Sequence, residues 1–181
     1  MEGVKLTISL IIAIILQWTL RTIWEPLVYI DFPLIIVVYA ALQRNAIRAI
    51  LFGTISGLFV DALSGGLLGA NGFVKTLIAY VVSEVARRVY MDILLLRMPV
   101  LAGASVVHAL LYYGLHRLFG QPPAGDVLVT TAYSLIGTTI AGTFIYLLLQ
   151  SLGTDRARPR KRDMFSQRRQ TRRRNPIRLG K

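Results

Sequence analysis

Apolar residues in this chain come in long runs. Six mostly aliphatic stretches, roughly 4–24, 28–43, 46–64, 69–86, 97–119 and 127–150, are separated by short connections where Gly, Pro, Arg and acidic residues collect. A membrane-crossing helix needs about 20 mainly apolar residues, so the pattern predicts an all-α polytopic membrane protein of six transmembrane helices. The second stretch is the weakest. Glu25, Pro26, Asp31 and Pro33 crowd its start, so regular helix is expected only from near Phe32, about 18 Å of it at 1.5 Å per residue. That segment reads either as a short span or as a re-entrant one.

The connections set the orientation. With the N-terminus inside, Lys5, Arg44, Arg48, Arg87, Arg88, Arg97 and the C-terminal tail share one side, against Arg21 and Arg117 opposite. Basic loops favour the cytoplasm, so both termini are expected there. The outer turns "WEPLVYID", "LSGGLLGAN" and "FGQPPAGD" are rich in Gly, Pro and acids, as turn chemistry allows. The first run lacks a small-x-small cleavage site after Leu16 and reads as an uncleaved span. "RRVYMDILLLRMP" reads as the frayed end of the fourth helix joined to the fifth, or as a short interfacial helix with Arg88 and Asp92 four apart.

Composition agrees: 54% of the residues are hydrophobic and the mean hydropathy is +0.56, above the balance of a soluble domain. The net charge of +12 belongs mainly to the tail, because 12 of the 21 lysines and arginines lie between Arg156 and Lys181. This divides the chain into a six-helix membrane domain, 1–153, and a basic tail, 154–181, too poor in apolar residues to fold alone. Arg156, Arg158, Arg160, Lys161, Arg162, Arg168, Arg169, Arg172, Arg173 and Arg174 are its candidate contacts to anionic lipid. No aromatic interleaving or folded module points to nucleic acid. Cysteine is absent, which removes disulfide, thiolate-metal and cysteine-nucleophile chemistry.

The stretch "GTISGLFVDALSGGLLGANGF" sets a carboxylate inside an apolar run. Residues four apart share an inclined helical stripe, so Ala49, Gly53, Gly57, Asp61 and Gly65 form one row along the third helix. Small residues let membrane helices approach closely. The row, with Gly69 and Gly72 beyond it, is the candidate helix-packing or partner interface. Gly137 and Ala141 make a weaker small pair in the sixth span.

A carboxylate in the bilayer costs several kcal/mol unless it faces protein. Backbone N–H groups of "SGGLLGAN" or a cation are the available partners for Asp61. Lys75, one turn into the fourth helix at a similar depth, is the candidate ion-pair partner; the alternative is that Asp61 caps a helix end and Lys75 snorkels outward. His108, in "GASVVHALLYYG", reads as a hydrogen-bonded interior residue, and Glu84 with Arg88 as a surface pair. Tyr112, Tyr113, Trp18, Trp24 and Tyr29 fall near outer boundaries, where amphipathic rings are favoured.

The region from Asp31 to Arg88 resembles the MreD family of bacterial rod-shape-determining membrane proteins. The resemblance rests on "DFPLIIVVYAALQRN" and on Gly57, Leu58, Asp61, Leu63, Gly65, Leu68, Gly69 and Gly72 in "GLFVDALSGGLLGANGF". It implies a multi-pass inner-membrane subunit of the cell-elongation, peptidoglycan-synthesising machinery. It further implies a fold similar to the substrate-binding subunits of energy-coupling-factor transporters, and association with the bitopic protein MreC and through it with MreB, RodA and its partner transpeptidase. No catalytic residue and no cofactor is carried over.

Three functions follow as expectations. The first is a non-enzymatic scaffold whose grooves hold a partner's membrane helix or a second copy of the chain. The second is a vitamin-type solute-binding transport subunit, for which Asp61, Asn71, Lys75 and Tyr80 would begin a polar site. The third is lipid enzymology centred on Asp61 or His108. Phosphotransferase patterns, Ser-His-Asp sets and metal-ligand spacings such as H-E-x-x-H are missing from the sequence.

Overall fold

A computed structural model of the chain describes residues 2–23, 29–89, 94–120 and 127–152. The described residues form six helices: α1 (Glu2–Ile23), α2 (Phe32–Leu42), α3 (Ala46–Ser64), α4 (Ala70–Arg88), α5 (Leu94–Leu118) and α6 (Val127–Leu152). Their ends follow local chemistry. The Asn45 side chain accepts from Arg48 N at 3.1 Å and opens α3. Gly65, at φ +65°, closes it in the left-handed conformation that glycine tolerates best. The basic tail, Trp24 and the Arg88–Asp92 pairing lie outside the described residues.

Four helices contain stretches long and apolar enough to cross a membrane: Gly3–Leu20, Ala46–Ser64, Arg97–Leu118 and Val127–Leu148. The other two are unlike them, and each for its own reason. α2 has 11 residues, about 16 Å of helix against a hydrocarbon core of about 30 Å. It is apolar on every side, nine of its residues are buried, and it touches all five other helices. A helix without a polar face has to be enclosed, and α2 is the axis of the bundle. α4 is long enough but buries Asn71, Lys75 and Ser83, so its polar side faces protein.

The most extensive helix contact is α3 on α4. Ala49, Gly53, Gly57 and Asp61 are all buried along it. A methyl group at Gly53 would lie 2.8 Å from the Lys75 carbonyl oxygen. One at Gly57 would overlap the backbone of Asn71 and Gly72. The glycine row therefore presses backbone against backbone, and the Thr54 and Thr76 hydroxyls meet across the crossing at 2.8 Å. Of the uses expected for this row, helix packing or a partner interface, Gly53 and Gly57 serve the first: α4 of the same chain fills the groove there. In α6, Gly137 sits against Ile30, and Gly142 faces Leu101 and Ile35.

Gly57→Ala should destabilise the purified protein by about 1–3 kcal/mol through overpacking. Gly103→Ala on α5, where a methyl would enter open space, should be neutral or stabilise by up to about 1 kcal/mol. Thermal unfolding in one detergent compares the two. Equal effects would contradict the crossing described.

Candidate functional site

Because α2 is short, its N-terminus lies deep in the bundle, where four N–H groups of a helix start would otherwise lack partners. Each is accounted for. Phe32 N donates to Gln17 Oε1 at 2.9 Å, Pro33 has no N–H, Leu34 N donates to Asp31 Oδ1 at 2.9 Å, and Ile35 N donates to the Asp31 carbonyl at 3.3 Å. One residue earlier, Asp31 N donates to Thr138 Oγ1 at 3.3 Å. Asp31 is thus the N-cap of α2, fastened by side chains of α1 and α6.

The same carboxylate binds the buried cation. Lys75 Nζ donates to Asp31 Oδ1 at 2.8 Å, with the lysine side chain 0% exposed. On the other oxygen, Asp31 Oδ2 is 3.6 Å from His108 Nε2. His108 Nε2 also lies 3.0 Å from Asn71 Oδ1. Asn71 Nδ2 in turn donates to Asp61 Oδ1 at 2.8 Å. An amide oxygen only accepts, so the network assigns His108 the tautomer with its proton on Nε2.

Asp61, 2% exposed, closes the chain at the start of α4. Its Oδ2 accepts from Gly69 N at 2.9 Å and Gly72 N at 3.2 Å. Its Oδ1 accepts from Asn71 N at 3.2 Å as well as from the Asn71 side chain. The amides of Gly69, Asn71 and Gly72 and the positive end of the α4 dipole hold this carboxylate, which no cation pairs with among the described residues. The connected groups, Lys75, Asp31, His108, Asn71 and Asp61, are joined by Thr138 and Gln17, so every helix of the bundle contributes.

The predicted residues separate accordingly. Gly53 and Gly57 form the internal crossing. Gly65 and Gly69 are turn residues with positive φ and no neighbour within 4 Å of an added Cβ. Gly72 supplies an N–H to Asp61 and packs on Leu58. The expected Asp61–Lys75 ion pair is corrected: Lys75 pairs with Asp31, and the "SGGLLGAN" backbone satisfies Asp61. Sequence reasoning passed over Asp31, Gln17 and Thr138. For Asp31 a signal existed in "DFPL", an acid three residues before a leucine with proline between, the pattern of a helix N-cap.

The sequence profile of the family described as rod shape-determining protein MreD matches residues 2–152. The chain belongs to the MreD family. The match covers every described helix, far beyond the Asp31–Arg88 region that carries the resemblance. Neither a curated protein nor a solved structure matches this MreD chain. Membership supports a role in rod-shape determination, and the apolar helices make the chain a membrane protein. Glu84 and Arg88 pair on the surface of α4 at 3.0 Å, outside the polar network.

Lys75→Met and Asp31→Asn should each destabilise the protein by about 3–5 kcal/mol, since each leaves a buried charge unpaired. The double variant should lose clearly less than the sum, whereas Lys75→Met with Asp61→Asn should be closer to additive. Detergent unfolding of the six proteins measures both couplings, and a larger coupling at Asp61 would overturn the assignment.

Proposed function

We propose that this MreD-family chain is a non-enzymatic scaffold of the bacterial cell-elongation machinery. It sits in the inner membrane with both termini cytoplasmic and holds the membrane helix of an MreC-type partner. MreB, RodA and the partner transpeptidase are reached through that protein. Beyond the family itself, the observation that supports this reading is how the buried polar groups are used. Asp61 accepts four hydrogen bonds from its own chain, and Asp31 is shared between Lys75, His108 and a helix start. Such a network fixes helix positions and leaves the bundle as a rigid body to be recognised from outside.

The partner helix then docks on an outer surface, since α4 occupies the glycine groove. The basic tail serves as a second tether, its arginines resting on anionic lipid at about 1 kcal/mol per group near the surface.

A solute-binding subunit is the second reading. It is favoured by one observation: polar side chains from several helices converge around Lys75, for which Asp31 is the one hydrogen-bond partner among the described residues.

Purification of the full chain from its native membrane in mild detergent should yield a stoichiometric single-span protein. Recovery of the chain with one bound small molecule and no second polypeptide would replace the scaffold reading with the transport one.

A further inference from the structure

At the end of the bundle that carries Arg44, Arg48, Arg87 and Arg97, helices α2, α5 and α6 part around a cleft. Ile35, Val38 and Leu42 of α2 face Met98 and Leu101 of α5 across it. Its unfilled space, counting the open side, is about 400 Å³. Ile35 to Leu42 covers two turns, about 10 Å of helix. The cleft is thus a short, mostly apolar slot along α2, open on one side, that suits a segment of hydrocarbon chain.

The lining also carries a fixed cation. Arg97 donates from Nη1 to the Tyr146 hydroxyl, and its guanidinium carbon lies 4.8 Å from the Tyr146 ring centroid. Tyr39 packs on the same ring at 5.6 Å. A guanidinium has five N–H donors in a planar fork suited to phosphate. Here it is steadied by aromatic packing beside an apolar slot in the first turn of a membrane helix, at the depth of lipid headgroups. Basic pockets between membrane helices at this level select anionic headgroups.

We propose that this cleft is a binding site for one anionic phospholipid, its phosphate on Arg97 and an acyl chain lying between α2, α5 and α6. The site is distinct from the basic tail and does not depend on the scaffold reading. Bound there, the lipid completes the packing of α2, the one helix that touches all the others.

The test uses the full chain in detergent with equimolar phosphatidylglycerol and phosphatidylcholine, and intact-complex mass spectrometry after washing at high ionic strength, where tail contacts are screened. The chain should retain one phosphatidylglycerol with a preference of about fivefold, the contribution of one arginine near a charged headgroup. Arg97→Gln should abolish that preference. Thr143→Phe, placed to fill the cleft from α6, should abolish retention of both lipids; Leu42→Phe serves if Thr143→Phe fails to keep its helical circular dichroism. Unchanged preference in Arg97→Gln would assign the lipid to the tail. Unchanged retention in a folded cleft-filling variant would place the acyl chain elsewhere. Either result overturns the proposal.

Discussion

A helix that begins inside a membrane has amide protons to satisfy and little water to satisfy them with, and α2 is built around that constraint. Asp31 meets it by accepting from Leu34 N, which introduces a second difficulty, a carboxylate at the same depth. Lys75 neutralises that charge, and the lysine is tolerable only because the carboxylate is there. Removing either leaves the other uncompensated in a low-dielectric interior, where the unpaired state is far costlier than the pair is favourable. The ion pair is thus a consequence of the short axis helix, and the positions of α1 and α6, through Gln17 and Thr138, follow from the same helix start.

The two acids solve one problem in different ways. Asp31 uses a cation, a histidine and its own helix start. Asp61 uses the amides at the beginning of α4, with the macrodipole adding to the hydrogen bonds. The difference traces to the glycines. Gly69, at φ +92°, and Gly72, with no side chain to intervene, let the α4 backbone close around the carboxylate. Gly53 and Gly57 bring α3 near enough for that contact to form. Glycine spacing and buried acid are therefore parts of one joint between α3 and α4.

Much of this was legible in the sequence. Helix bounds followed from apolar runs and punctuating Gly, Pro, Asn and Asp, and the small-residue row identified the closest helix face. What fills that face was not legible, since a notched stripe records close approach without naming the neighbour. The ion-pair choice failed for a similar reason. Depth along the axis placed Lys75 level with Asp61, but the rotation of α4 about its axis, which depth does not encode, turns the lysine toward α2. Asp31 stood among Glu25, Pro26 and Pro33 and read as loop, and its partner is 44 residues away.

The polarity of α4 has a consequence for biogenesis. A segment carrying Asn71, Lys75 and Ser83 is a poor candidate for leaving the translocon by itself, since a lysine within the hydrocarbon costs up to about 2.5–3.5 kcal/mol on insertion scales. Its natural companion is α3, made immediately before it and already shaped to receive it. The two would enter lipid together with α2, so that Asp31 and Lys75 leave water as a pair. Nascent chains halted before α4 would then keep α2 outside the hydrocarbon phase, and completion of the fourth segment would commit the first half of the protein to the bilayer together.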